Sequence, residues 1–163
     1  GNGPQKDQIT QLVANLGLSR VEFPGVVSRK MIGDFYHRND IFINASWLDN
    51  MPVSILEAFA SGLPVVTTAP EGIRYIVEHE RTGLLCDPGD WRALAENVTR
   101  LLRDPALAEC LARNASEESE RYRWQAVRSQ WIEVYRSLCP QFAAHSIEMA
   151  PCEQLAATGM ENA

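Results

Sequence analysis

The segment that decides the fold is DIFINASWLDNMPVSILEAFASGLPVVTT, residues 40–68. Its opening Ile-Phe-Ile run is apolar and rich in β-branched side chains, which predicts a strand buried on both faces over residues 40–44. A helix that is entered near Pro52 and closed at Gly62 follows, and residues 64–68 predict a second buried strand. A strand, a helix and a strand in this order predict two parallel strands joined by a crossover helix.

The flanking sequence continues this alternation of helices and strands. Upstream, a helix is predicted to end at Gly17 and another to be capped by Ser28. The apolar stripe of the last helix is predicted to pack mainly in the core, with part of it exposed. The other predicted elements are helices over 9–16, 31–36, 72–78, 90–103, 104–115 and 124–138, and strands over 21–23 and 83–86. We therefore expect an α/β fold with a Rossmann-like, doubly wound parallel sheet.

Chain length and periodicity predict one principal domain over residues 1–138 and a loosely structured tail over 139–163. The chain opens with Gly1-Asn-Gly-Pro4, a sequence typical of the turn that leaves a strand, and no strand precedes it. We therefore expect a domain that is incomplete at its N-terminus.

The composition excludes several classes of protein. A hydrophobic fraction of 45% is typical of a globular domain, and no apolar run approaches the length that crosses a bilayer. A net charge of −6 argues against a nucleic-acid-binding surface. The four cysteines lack metal or redox spacing, so we expect separate reduced thiols and a cytoplasmic location.

Two acidic residues frame the start of the helix that follows Pro52. Asp49 lies in the preceding loop and Glu57 lies about one turn inside the helix, so both can face a ligand at the helix start. The N–H groups expected to be free there are those of Met51, Val53 and Ser54. A row of free N–H groups such as this suits a diphosphate. The two carboxylates can accept hydrogen bonds from hydroxyl groups of the ligand on either side of that diphosphate. Favourable interaction with the helix dipole is the alternative explanation of the two acids.

The same segment resembles the retaining, GT-B-fold glycosyltransferases called glycosyl transferases group 1, or family 4. Their signature is two acidic residues separated by seven others, then Ala, small residues and Gly-x-Pro-Val-Val. The matching residues here are Asp49, Glu57, Ala58, Gly62, Pro64, Val65 and Val66. Flanking matches at 1–4, 21–26, 72–73 and 82–90 extend the resemblance over about residues 1–138. The resemblance implies the C-terminal, donor-binding domain of such an enzyme.

The resemblance also implies a role for each site residue. The implied roles are donor-sugar contacts from Asp49, Asn50 and Met51, diphosphate contacts from Met51, Val53 and Ser54, ribose binding by Glu57, and base contacts from Gly25, Val26 and Val27. The full enzyme would transfer a sugar from a nucleotide diphosphate to an acceptor hydroxyl, and could associate peripherally with a membrane. No cofactor is expected, and the absence of an Asp-x-Asp pair disfavours a metal.

Departures from the family pattern leave alternatives open. The first acid is usually Glu and here is Asp49, and Tyr75 replaces a common Glu. The family's donor-phosphate cations and its acceptor-binding N-terminal domain match no segment here, so no catalytic base is assigned and the isolated chain is expected to be inactive. The alternatives are a non-catalytic nucleotide-binding module or degenerate regulatory domain and, third, a GT-B epimerase or phosphorylase.

Overall fold

A computed structural model of the chain describes residues 2–138. Contacts divide the chain into two compact units, Gly1–Glu120 and Arg121–Ala163. The helices are α1 (Lys6–Asn15), α2 (Ile32–His37), α3 (Val53–Ala60), α4 (Trp91–Arg103), α5 (Pro105–Ser119) and α6 (Trp124–Leu138), with 3₁₀ turns at Ile73–Tyr75 and Glu120–Tyr122. The strands are β1 (Phe42–Asn44), β2 (Val65–Thr68) and β3 (Leu84–Cys86). The tail predicted over 139–163 lies outside the described residues.

The three strands form one parallel sheet in the order β1-β2-β3. In the register, Phe42 lies beside Val65 and Val66 lies beside Leu84. The central strand β2 is buried along its whole length, as predicted. The prediction that both faces of β1 are buried was wrong, because β1 is an edge strand and Ile43 is 49% exposed.

Helix α3 forms where the sequence predicts it, between a proline and a glycine. Pro52 takes the N-cap position with φ −67°, where its missing N–H costs no hydrogen bond. Gly62 ends the helix with φ +72°, a conformation that a side chain disfavours, and Leu63 N–H bonds back to the carbonyl of Ala58 at 3.0 Å. The buried face consists of Ile55, Ala58 and Phe59, spaced three and four apart.

Helices α4 and α5 cover the sheet and complete the core of the first unit. Asp90 and Asp104 cap them by accepting the N–H groups of Ala93 and Leu107 at 2.9 and 3.0 Å. The buried cluster between sheet and helices consists of Val66, Leu84, Leu101 and Leu111.

Several local predictions were wrong. Residues 21–23 form no strand, since no other described strand pairs with them and an unpaired strand has no ladder to hold it. Ser28 does not cap α2, which begins at Ile32 after Met31. The helix predicted over 72–78 is reduced to the 3₁₀ turn Ile73–Tyr75, and α5 runs on to Ser119.

The apolar stripe of α6 was wrongly predicted to be mainly core. No residue of α6 is buried, and Trp131 stacks on Tyr135 of the same helix at 6.0 Å. The stripe of α1 is likewise not buried, although its helix and the stop at Gly17 are as predicted. Periodicity shows that a helix has an apolar face but does not show what covers that face. Among residues 2–138, no helix has the length and apolarity needed to span a membrane.

Candidate functional site

The carboxyl ends of the three parallel strands meet at one edge of the sheet, where α/β proteins place their ligands. The loop that follows β1 is fastened to the end of β2 at this edge. Thr68 Oγ1 donates to the carbonyl oxygen of Ser46 at 2.7 Å, and Asn44 Nδ2 donates to Thr67 Oγ1 at 3.2 Å. Ser46 Oγ in turn donates to Asn44 Oδ1 at 2.9 Å. The start of the loop that carries Asp49 is therefore fixed by buried polar groups of the central strand.

The middle of the same loop packs on Gly72. A Cβ atom added to Gly72 would overlap the carbonyl oxygens of Asp49 and Asn50. Gly72 has φ −64° and ψ −34°, which any residue adopts, so the requirement for glycine here is steric. The sequence matched Gly72 to a family position, but only the fold shows that it supports the backbone of the predicted sugar-binding residues.

The first turn of α3 presents backbone donors that have no acceptor within residues 2–138. The N–H group of Ile55 donates to the carbonyl oxygen of Pro52 at 3.0 Å. The N–H groups that the sequence predicts to bind a diphosphate make no such bond. Those N–H groups belong to Met51, Val53 and Ser54. Free N–H groups at a helix start attract anions through the helix dipole. The first turn itself contains no acidic residue, so neither Asp49 nor Glu57 occupies the position where a carboxylate most directly offsets the helix dipole.

Glu57 lies half-buried in the second turn of α3 and accepts a hydrogen bond from Tyr36 of α2. Tyr36 Oη lies 3.0 Å from Glu57 Oε2 and 3.3 Å from the carbonyl oxygen of Ser54. Burial of the phenol, and then its hydrogen bond to Glu57, raise the pKa of Tyr36 to about 12. The sequence places Tyr36 in the helix predicted over residues 31–36 and does not predict this contact. No local signal distinguishes such a tyrosine from an ordinary core aromatic.

The predicted base-binding loop forms one wall of a cleft of about 290 Å³ beside α2. Gly25 has φ +74°, Val26 is 78% exposed and Val27 is half-buried. The cleft is lined by Glu22, Pro24, Val26, Val27, Met31, Asp34, Phe35 and Arg38. Phe35 in this cleft is the chain neighbour of Tyr36, so α2 links the predicted base-binding loop to the predicted ribose ligand.

The remaining predicted residues lie around the start of α3. Asp49 is half-buried and forms no hydrogen bond or ion pair with any other described residue, while Asn50 and Met51 are exposed. Arg74, the nearest cation in sequence to Gly72, donates from Nε to the carbonyl of Ala69 at 3.1 Å and lies 3.6 Å from Asp87. Within residues 2–138, no group of His, Cys, Asp and Glu is arranged to hold a metal ion. The assigned roles of these residues stay predictions.

Comparison with known protein families shows which family this chain belongs to. The family described as Glycosyl transferases group 1 matches residues 1–118 of the 163. The chain belongs to this family. The sulfoquinovosyl transferase SQD2 of Arabidopsis thaliana is 32% identical over 133 residues, which are 80% of this chain and 26% of SQD2.

Solved structures of glycosyltransferases share the fold. Sucrose-phosphate synthase of Thermosynechococcus elongatus superposes with a TM-score of 0.77 and 33% identity, over 89% of this chain and 38% of that one. HepE of Anabaena, solved in complex with UDP-glucose, gives a TM-score of 0.76 and 28% identity, over 83% of this chain and 38% of HepE. These similarities confirm the predicted GT-B-type α/β fold. The chain spans less than half the length of each of these proteins.

Proposed function

We propose that this chain binds a nucleotide-diphospho-sugar at the start of α3 and serves as the donor-binding domain of a retaining glycosyltransferase. The observation that carries the proposal is a set of N–H groups between Asp49 and Glu57, those of Met51, Val53 and Ser54, which have no acceptor among residues 2–138 and follow the carboxyl end of β1. The similarity to HepE, which was solved with UDP-glucose, makes uridine diphosphate sugars the first donors to test.

Each part of the ligand has a chemical counterpart in the site. The diphosphate accepts hydrogen bonds from the N–H groups of Met51, Val53 and Ser54. Asp49 accepts hydrogen bonds from the sugar hydroxyls, assisted by Asn50 and the backbone of Met51, and Glu57 accepts those of the ribose. The base occupies the cleft beside Gly25, Val26 and Val27, where apolar side chains provide contact for its faces.

This arrangement favours departure of the diphosphate. When the bond from sugar to diphosphate breaks, negative charge collects on the leaving phosphoryl oxygens and positive charge on the sugar. N–H groups that already point at the diphosphate stabilise that charge without reorganising, and they take the place that a metal ion fills in other transferases. We assign the acceptor-binding site and the groups that activate the acceptor hydroxyl to the regions of the relatives that this chain does not cover. We also propose a cytoplasmic location; among residues 2–138 the two cysteines, Cys86 and Cys110, form no disulfide bond, and Cys139 and Cys152 lie outside the described residues.

A non-catalytic nucleotide-binding module is the second candidate, and Asp49 is the observation that favours it. Asp is one methylene shorter than the Glu usual at this position, so its carboxylate reaches less far towards a sugar. Both candidates bind nucleotides, and only the transferase also discriminates between sugars and transfers them. Donor hydrolysis or transfer by a chain of the relatives' full length decides between them.

The proposal is tested by titration calorimetry of the chain with UDP, GDP, ADP and their sugar derivatives. Glu57→Ala should weaken binding of the preferred nucleotide about 10-fold or more, as loss of a hydrogen bond to a charged group predicts. Glu109→Ala removes an exposed carboxylate from α5 and should leave binding unchanged. Unchanged affinity in a folded Glu57→Ala chain removes the ribose assignment. A transfer assay of the 163-residue chain alone should show no product.

A further inference from the structure

Tyr36 is a buried residue whose hydroxyl lies beside the proposed ribose ligand. Its side chain is 7% exposed, and its ring packs against Phe42 of β1 with the ring centroids 6.0 Å apart. Its hydroxyl reaches Glu57 Oε2 at 3.0 Å. The phenol of Tyr36, which packs against β1, is thus hydrogen-bonded to one carboxylate oxygen of Glu57, a flexible side chain of α3.

We propose that Tyr36 is a positioning residue that fixes the carboxylate of Glu57 so that its second oxygen faces the hydroxyl pair of a nucleotide's ribose. The inference rests on the proposed function, because it requires a nucleoside diphosphate beside α3. It adds a residue from outside the segment that carries the other donor contacts.

The chemistry of the two groups supports this role. An ionised carboxylate only accepts hydrogen bonds, and with Oε2 engaged by Tyr36 its Oε1 has no donor among residues 2–138. Glu57 would otherwise lose rotamer freedom when a ligand binds, and a partner that orders it beforehand removes that cost. The phenol of Tyr36, with a pKa of about 12, is protonated at neutral pH as any ordinary tyrosine is, and can therefore donate to Glu57.

A purely structural role for Tyr36 predicts a different pattern of binding. If Tyr36 only packs, removal of its hydroxyl weakens every ligand of the site to the same extent or none at all. If Tyr36 orients Glu57, the loss is confined to ligands that carry ribose hydroxyls. It should also vanish when the Glu57 carboxylate is already absent.

The experiment measures the affinity of the 163-residue chain for the tightest-binding nucleoside diphosphate among UDP, GDP and ADP, and for its 2′,3′-dideoxy form. The variants are Tyr36→Phe, Glu57→Ala and the double variant. Tyr135→Phe is the control, since it removes a hydroxyl from a tyrosine that is 63% exposed in α6. Tyr36→Phe should weaken the ribonucleotide about 3- to 10-fold and leave the dideoxy form unchanged. In the Glu57→Ala background, where Tyr36 has no side-chain acceptor to position, it should have no further effect.

The outcomes separate this inference from the function on which it rests. Equal weakening of both ligands by Tyr36→Phe, or full retention of ribose discrimination, overturns the positioning role while the donor site stands. A wild-type chain that binds both ligands equally overturns the ribose assignment of Glu57 and the positioning role together. If Tyr36→Phe does not melt cooperatively, Tyr36→4-fluorophenylalanine fills the volume of the hydroxyl without donating and is subject to the same criteria.

Discussion

Gly72 and Asp49 are in direct backbone contact: the Cα of Gly72 lies so close to the carbonyl oxygen of Asp49 that a methyl group between them has no room. Two loops that follow neighbouring strands β1 and β2 are thereby pressed together at the carboxyl edge of the sheet. The position of the predicted sugar-binding residues thus depends on a residue 23 positions further along the chain.

Gly72→Ala should therefore displace the loop around Asp49. We expect a destabilisation of about 1–3 kcal/mol, the usual cost of forcing an extra methyl into a packed site. Gly33→Ala is the control, because a Cβ at Gly33 in α2 meets nothing within 4 Å. That change should stabilise the chain by about 0.5–1 kcal/mol. Chemical denaturation measures both variants, and a Gly72→Ala chain as stable as the wild type would show that the contact relaxes freely.

Asp49→Ala should reduce discrimination between sugars while leaving the affinity for the free nucleoside diphosphate unchanged. Its carboxylate has no partner among the described residues, so its removal leaves no protein donor unsatisfied and should cost little stability. Calorimetry with UDP and with a series of UDP-sugars measures the ratio of affinities. Asp90→Ala serves as the contrast, since Asp90 caps α4 and its loss should lower stability by about 1 kcal/mol. Equal sugar preferences in the Asp49→Ala and wild-type chains contradict the assignment.

Tyr36 should ionise at a higher pH than an ordinary tyrosine. Because its folded-state pKa of about 12 exceeds the ordinary tyrosine pKa of 10.0, its contribution to stability is complete below pH 10. That contribution is lost as the pH rises through 12. The near-ultraviolet absorbance of tyrosinate in the wild type minus that in Tyr36→Phe isolates this titration. A midpoint near 10 in the folded chain would mean that the phenol is solvated rather than buried beside Glu57.

Two adjacent leucines of α4 should differ sharply in their effect on folding. Leu101 is 2% exposed in the buried cluster, and Leu102 is 66% exposed. Leu101→Ala should cost about 2–5 kcal/mol, through lost burial and the cavity left behind. Leu102→Ala should change stability by about 0.5 kcal/mol or less, as expected of a surface site. Thermal and denaturant unfolding measure the loss of unfolding free energy in both variants. Similar losses would show that Leu101 is not part of the buried core.

The sequence by itself determined the alternation of strands and helices and the position of α3 between Pro52 and Gly62. These features depend on side-chain periodicity and on local backbone preferences, which act over a few neighbouring residues. The segment from Asp49 to Glu57 could be predicted as the candidate site for the same reason. The spacing of its two acidic residues along one loop and one helix is a local property of the sequence.

Only the tertiary structure decided which residues meet across the chain. The packing of Gly72 beneath Asp49, the hydrogen bond from Tyr36 to Glu57 and the exposure of Ile43 at the sheet edge join segments that are distant in sequence. Strand order and the packing of loops and helices around the sheet create these contacts, and a pattern of period two or 3.6 does not say which segments become neighbours. The polar contacts of a buried tyrosine, and the need for glycine where the backbone conformation is ordinary, become visible only when the neighbouring segment is in place.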